Sequence, residues 1–199
     1  LRSIGGTSAT PANGSQSDVP DIDGVRVGIY AEDELSFAGT GFSLTPGVRL
    51  DWHDFNPKDS DGFQQNTGYA FGLPKSSNDF RISPKLLAKY DVTENFGVFA
   101  QWSMSYRAPT VAELYSNFSN LAHRYARRGN DLLEAETGQG IEAGVEYQSG
   151  GFTARATAYH NRYKNFIADE TINPYTLPGG ATGMLFTQVN LNAAAISGV

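Results

Sequence analysis

The sequence predicts an all-β protein, an antiparallel transmembrane β-barrel, and three observations lead to this fold class. Apolar and polar residues alternate with a period of two along most of the 199 residues. The connections between the alternating segments are short at one end and long at the other, as in bacterial membrane barrels. Aromatic residues flank the short connections, where such barrels carry an interfacial girdle.

The alternation is clearest in FGVFAQWSMSYR, residues 96–107. Val98, Trp102 and Tyr106 fall on one face of this segment and Gln101 on the other, as period-two patterning requires. The same pattern predicts strands at 42–53, 80–92, 139–148 and 152–163, with weaker candidates at 25–36 and 184–192. We therefore expect about seven strands, each near the roughly 9–11 residues that a tilted strand needs to cross a bilayer.

The connections sort into two classes by length. Turn formers gather at 38–41, 92–95 and 149–151, and the flanking aromatic residues are Phe37 and Phe42, Tyr90 and Phe96, and Tyr147 and Phe152. Long links are expected at about 55–78, 107–137 and 164–183. A soluble antiparallel β-sandwich interaction module also alternates and stays as the alternative, although it gives no reason for this sorting. Because about seven strands is an odd number and bacterial single-chain barrels have an even one, we expect an interior portion of a larger barrel.

The composition excludes several classes of function. The net charge of −6 disfavours a general nucleic-acid binder, and the lack of cysteine excludes a disulfide framework or a zinc site built on thiolates. No run approaches the roughly 18 apolar residues of a membrane-spanning helix. The motifs G-x-S-x-G and H-E-x-x-H and a phosphate-binding glycine loop are all missing from the sequence, so we expect no enzyme and no catalytic cofactor.

Two stretches resemble sequence boxes of the TonB-dependent outer-membrane receptors, in particular those for haem and haemoglobin. YRAPTVAELYS, residues 106–116, resembles the box written FRAP or YRAP in that family. NDLLEAE, residues 130–136, resembles the second box, N-P-x-L followed by K-P-E, with Asp131 and Ala135 in place of its two prolines. The matching residues are Tyr106, Arg107, Ala108 and Pro109 in the first box and Asn130, Leu133 and Glu136 in the second.

The resemblance implies a transport function and a location. The family fold is a barrel of about 22 strands plugged by an N-terminal domain, so residues 1–199 would be part of the barrel domain without the plug. The protein would lie in the outer membrane of a Gram-negative cell, and residues 107–137 would form a long extracellular ligand-binding loop. Its expected partners are haem or a haem-carrier protein, outer-membrane lipid, and the TonB complex through the plug, with no nucleic acid. A TonB-dependent receptor for a siderophore or cobalamin is the first alternative.

The family places a haem-ligating histidine between the two boxes, and His123 is the histidine found there. Imidazole or tyrosinate can ligate haem iron, and guanidinium groups pair with carboxylates such as the haem propionates. The candidate haem-binding residues are His123, Tyr115, Tyr125, Arg124, Arg127 and Arg128. Each also has an ordinary alternative, because loop histidines are commonly solvated, tyrosines pack in structured loops, and arginines contact lipid phosphates or acidic neighbours.

The first box also marks the end of a strand. Pro109 cannot donate a ladder hydrogen bond, so we expect pairing to end there and the long loop to begin. The two remaining histidines are weaker candidates for ligand contact. His53 falls on the polar face of the 42–53 segment, and His160 on the apolar face of the 152–163 segment.

Overall fold

The computed structural model describes residues 2–4, 14–66 and 72–199, so residues 67–71 of the predicted long link at 55–78 lie outside the described residues. The strands are β1 Arg2–Ile4, β2 Gly14–Gln16, β3 Asp21–Glu32, β4 Leu35–Phe37, β5 Phe42–Lys58, β6 Ser77–Thr93, β7 Phe96–Arg107, β8 Asn117–Asn120, β9 Tyr125–Arg128, β10 Glu136–Ser149, β11 Phe152–Thr176 and β12 Thr182–Gly198. The helices are α1 Asp61–Gln64 and α2 Val111–Tyr115. Neither helix has the length and apolar character that crossing a bilayer requires, within the described ranges.

One large sheet dominates the fold. It has ten strands in the order β3-β5-β6-β7-β10-β11-β12-β9-β8, with β4 also paired to β5, while β1 and β2 form a separate antiparallel pair. The seven long strands β3, β5, β6, β7, β10, β11 and β12 are neighbours in chain order and pair antiparallel, which confirms the all-β class and the expected strand number. The pairing between β9 and β12 is parallel.

One face of this sheet carries an exposed apolar band. Trp52 of β5 lies in register between Val27 of β3 and Phe80 of β6, and all three side chains are exposed. Further exposed apolar side chains are Ile29, Leu50, Ile82, Met104, Ile141 and Val145. A β-sandwich would bury such a band against a second sheet. The β-sandwich alternative is therefore wrong, and the exposed band fits the lipid-facing surface of a barrel.

The strand bounds correct two of the sequence expectations. β11 continues to Thr176, so the predicted long link at 164–183 shrinks to residues 177–181. At about 3.3 Å per residue this strand is roughly 80 Å long, which carries the β11–β12 hairpin well beyond a bilayer core of about 30 Å. β3 ends at Glu32 and β4 begins at Leu35, so the weak candidate at 25–36 is divided between two strands.

Residues 107–137, which were expected to form a long loop, have secondary structure of their own. This segment contains α2, β8 and β9, and it folds onto the sheet. Leu114, Tyr115 and Leu133 of the segment are buried together with Phe55 of β5 and Ile167 of β11. The cluster lies on the sheet face opposite the apolar band, because Ile167 and Phe55 alternate with outward residues on their strands. The main hydrophobic core of the described chain thus fixes this segment in place.

Candidate functional site: the arm between strands seven and ten

Residues 108–135, which we call the arm, form a paired structure from base to tip. At the base, the Asn130 amide donates to the Glu113 carbonyl at 2.8 Å, and the Gly129 amide donates to the Ser116 carbonyl. Above this, β8 and β9 pair antiparallel, and residues 121–124 make the turn at the tip. The arm is therefore a hairpin, and we call the two backbone hydrogen bonds at its base the neck.

The arm also docks along the edge of β12. Residues 125–127 pair in parallel with residues 184–186, and the Met184 amide donates to the Arg124 carbonyl at 3.0 Å. Gly183 permits this approach, because a Cβ at that position would collide with the Arg124 carbonyl oxygen. The tip is consequently held against the distal end of the β11–β12 hairpin.

An arginine joins the two sequence boxes at the base of the arm. Arg107 lies opposite Glu136 in the β7–β10 register, and its guanidinium pairs with that carboxylate through Nε at 2.7 Å and Nη2 at 2.8 Å. Its Nη1 donates to both Glu113 oxygens, at 3.1 and 3.2 Å. Such bidentate geometry is the strongest form of arginine–carboxylate contact. We call this contact of Arg107 with Glu113 and Glu136 the clasp. It joins the two boxes and closes the base of the arm, and the Arg107 guanidinium is engaged in it.

Glu113 has a second contact, with the start of α2. The Thr110 hydroxyl accepts from the Glu113 amide at 3.2 Å, and the Glu113 carboxylate accepts from the Thr110 amide at 2.7 Å. This is a capping box, and it follows the buried Pro109, which lies just after the end of β7. The T-x-x-E spacing at 110–113 is a helix-start signal that would have predicted α2 from the sequence.

The second box also holds the arm in place through hydrogen bonds and burial. The Asn130 side chain donates to the Gln188 carbonyl at 3.0 Å and accepts from the Leu132 amide, while Leu133 is buried. Asp131, which replaces the first family proline, accepts from the Lys75 amide at 2.7 Å, a contact that proline could not make. The box residues thus attach the arm to β12 and to the segment before β6.

The clasp makes arm docking depend on pH. Burial by itself would raise the pKa of Glu113, but the hydrogen bonds from Thr110 and from Arg107 outweigh it and hold the pKa below its usual range. A depressed folded-state pKa contributes stability above the unfolded pKa, and this stability is lost as pH falls through the folded value. In the whole protein we expect the α2 amides to exchange hydrogen faster as pH falls below the ordinary glutamate pKa of about 4.3, after correction for intrinsic rates. Glu113→Gln should start with faster exchange and lose the part of this dependence that Glu113 supplies. The remainder comes from Glu136, whose pKa is lowered chiefly by the hydrogen bond from Arg107. An unchanged profile would contradict the assignment.

His53 and Tyr106 are in contact although alternation puts them on opposite faces of their strands. β6 and β7 part above the pair Lys85–Ser103, and in the opening His53 Nδ1 lies 3.1 Å from the Tyr106 hydroxyl. Its Nε2 lies 3.3 Å from the Ser77 hydroxyl, and the side chain is buried. Alternation had put Tyr106 on the apolar face and His53 on the polar one. The two side chains meet in the opening between the parted strands, while both strands keep a regular register with their other neighbours.

The structure separates the predicted haem-binding residues. Tyr115 is 1% exposed, and its hydroxyl donates to the Phe55 carbonyl at 3.4 Å. Burial raises the pKa of Tyr115 to about 12, so the phenol stays protonated and its packing role is favoured over iron ligation. His123 and Arg124 are exposed in the turn at the tip, and Arg127 is exposed on β9. Four of the predicted residues, namely His123, Arg124, Tyr125 and Arg127, are therefore brought together at the tip of the arm.

Tyr125 and Arg128 lie on opposite faces of β9. The Tyr125 ring is half-buried between Phe118 and Phe186, with ring centroids 5.8 and 6.0 Å away. Arg128 is half-buried beside Asn117 in the register and points away from Tyr125, because the two residues are three apart on a strand. Phe186 was not among the predicted residues. Its segment alternates weakly, and no local pattern connects it to residues 60 positions earlier.

The family of the chain follows from a profile comparison. The family described as TonB dependent receptor-like, beta-barrel, matches residues 2–199. The chain belongs to this receptor family. The receptor assignment confirms the resemblance in the two boxes and explains a sheet that does not close within the described residues.

Two curated relatives of the receptor are from Pseudomonas aeruginosa. A ferric enterobactin receptor is 30% identical over 164 residues, 78% of this chain, and the ferric enterobactin receptor PirA is 31% identical over 169 residues, 79% of this chain. The chain spans about a fifth of the length of these relatives, 19% of each.

Two solved structures support the fold at lower sequence identity. The Serratia marcescens haemophore receptor HasR, in complex with its haemophore HasA and haem, superposes with a TM-score of 0.66 at 15% identity, covering 91% of this chain and 32% of that one. The copper transporter OprC superposes with a TM-score of 0.63 at 17% identity, covering 89% and 25%. These likenesses show that the sheet has the receptor barrel architecture.

Proposed function

We propose that the complete receptor binds an anionic iron complex, a ferric siderophore, at the tip of the arm for TonB-driven uptake across the outer membrane. The long-connection end of the sheet would face the cell exterior, and the exposed apolar band would face lipid. The receptor would transport the complex unchanged. The TonB complex would act through a plug domain, as the family implies.

The observation that carries this proposal is the exposure of cations at the arm tip in a chain of net charge −6. Arg124 and Arg127 are the exposed cations there, beside the exposed His123, and the clasp and the β12 edge hold the tip in a fixed position. A positive tip on a negative chain attracts anionic ligands and suits recognition of their oxygen donors. The ferric enterobactin receptors among the relatives support the choice of a siderophore.

Haem is the second candidate, and one observation favours it. His123 Nδ1 lies 3.0 Å from Asn120 Oδ1, which can only accept a hydrogen bond. Nδ1 is therefore the donor, and in the neutral imidazole Nε2 would carry the lone pair with which imidazole ligates iron. A partner oxygen that fixes the tautomer in this way is typical of metal-binding histidines. Haem or a haem-carrier protein would then be the external partner.

A titration of the full-length receptor in detergent separates the two candidates. Ferric enterobactin binding is followed by fluorescence quenching and haem binding by the Soret band, in the wild type and in His123→Ala. We expect saturable binding of ferric enterobactin that changes less than about twofold in His123→Ala, because charge recognition uses the arginines as well.

The control is His160→Ala, which removes an exposed histidine of β11 that bonds Ser197 rather than the arm. Saturable haem binding whose spectrum shifts in His123→Ala but not in His160→Ala would replace the siderophore by haem. A wild-type receptor that binds neither complex would contradict the proposed function.

A further inference from the structure

Aromatic side chains and one arginine share a single surface across three strands at the arm tip. In the register, Arg127 of β9 lies between Phe118 of β8 and Phe186 of β12. Tyr125 lies two residues away on the same face, in ring contact with both phenylalanines. We call Phe118, Tyr125, Arg127 and Phe186 the platform.

The reverse side of the platform is a small core. Ala126 and Leu185 lie between the platform residues along their strands, so they point to the opposite face. There they are buried with Leu177. The platform is consequently backed by packed side chains and paired on both edges of β9, which gives a ligand a preformed surface.

The composition of the platform selects an aromatic anion. Phe186 is 38% exposed, Tyr125 and Phe118 are half-buried, and Arg127 is exposed among them. Aromatic rings offer edge-to-face and stacked contacts to other rings, while a guanidinium pairs with anionic oxygen. A ligand with only aliphatic groups would leave the ring contacts unused, and an uncharged ligand would leave Arg127 unused.

The ring angles distinguish between two aromatic iron complexes. The planes of Phe118 and Tyr125 are inclined by 48°, and those of Tyr125 and Phe186 by 68°. A porphyrin is one flat plate and could lie against only one of these rings at a time. A ferric tris-catecholate presents three separate rings inclined to one another around the iron, and it carries a triple negative charge.

We infer that the platform is a binding subsite for the catecholate rings of a ferric tris-catecholate, with Arg127 facing the chelating oxygens. This inference rests on the proposed function and names its ligand class. The tilted rings receive the ligand rings, and the exposed Arg124 in the adjacent turn adds positive charge beside them.

The test compares two ligands and two pairs of variants in the full-length receptor. Affinities for a ferric tris-catecholate and for a ferric tris-hydroxamate, which has no aromatic rings, are measured for the wild type, Phe186→Leu and Arg127→Gln. We expect both variants to lose about three- to tenfold in affinity for the catecholate. Tyr125→Phe keeps the ring and should bind like the wild type.

Matched controls come from β11. Phe166→Leu removes a phenylalanine with the same 38% exposure, on the strand face opposite the buried Ile167, and Arg162→Gln removes an exposed arginine that bonds His160. Both should stay within about twofold of the wild type, as surface changes outside a site do. Thermal unfolding of every variant is recorded to confirm that the barrel is intact.

The outcomes separate this inference from the proposed function. Catecholate binding by the wild type that is equal in Phe186→Leu and Arg127→Gln would overturn the platform alone. Preference for the hydroxamate, or for haem, would overturn the platform and leave an iron-complex receptor. A wild type that binds no iron complex would overturn both.

Discussion

Gly129→Ala is expected to open the neck of the arm. A Cβ at residue 129 would lie 2.6 Å from the Leu114 carbonyl carbon, 2.7 Å from its oxygen and 2.7 Å from the Tyr115 nitrogen. All three are backbone atoms of α2, which cannot yield without leaving the core around Leu114. We expect a local destabilisation of about 2 kcal/mol, typical of overpacking, and a population of open arm raised by roughly 30-fold.

Trypsin measures this opening directly, because β9 and the turn before it carry Arg124, Arg127 and Arg128. Cleavage after these residues in the full-length receptor should accelerate by more than tenfold, in line with the open population. Gly151→Ala is the matched control, since no atom lies within 4 Å of a Cβ placed there. Equal cleavage rates in Gly129→Ala, Gly151→Ala and the wild type would show that the neck does not hold the arm.

Arg107→Gln removes the cation of the clasp and should also loosen the base of the arm. The change leaves Glu113 and Glu136, whose side chains are only 22% and 13% exposed, close together without their shared cation. Breaking a fully buried ion pair costs about 3–5 kcal/mol. Because the Arg107 side chain is 42% exposed, we expect about 1–2 kcal/mol here, after allowing for solvent screening.

The measurement is again arm cleavage, accompanied by ligand affinity. Arg107→Gln should both raise the cleavage rate and weaken ligand binding, although Arg107 lies at the base of the arm and not at its tip. Arg155→Gln supplies the control, because Arg155 pairs with Glu146 at 2.9 Å near the short turns, outside the arm. A second change, Glu136→Gln, should restore part of the loss by removing one unpaired carboxylate. Weakened binding with normal cleavage would contradict a positioning role.

Alternation predicted the strands well where one face meets an apolar environment. Both ends of β7, Phe96 and Arg107, agree with the prediction. The distal part of β11 was missed because Lys164, Asn165, Asp169 and Glu170 interrupt the period. Beyond the bilayer both strand faces can be polar, so the two-residue signal disappears while the hydrogen-bonded ladder continues.

The arm was predicted in position but not in form. The two boxes located it, and the Thr110–Glu113 capping spacing could have added α2. The parallel pairing of β9 with β12 could not be predicted, because it depends on contacts between residues about 60 positions apart and on the space above Gly183. The same holds for Phe186. Residue types indicated cations and aromatic rings in the arm, but only the register shows which of them share a face.

In the proposed function, the arm tip contacts the transported iron complex. The most direct measurement is tryptic cleavage after Arg127 in the full-length receptor, in detergent, with and without a saturating iron complex. We expect the complex to slow this cleavage at least several-fold and to leave cleavage at sites outside the arm unchanged. Saturable binding that leaves the cleavage rate after Arg127 unchanged would contradict contact at the arm tip and place the ligand elsewhere on the receptor.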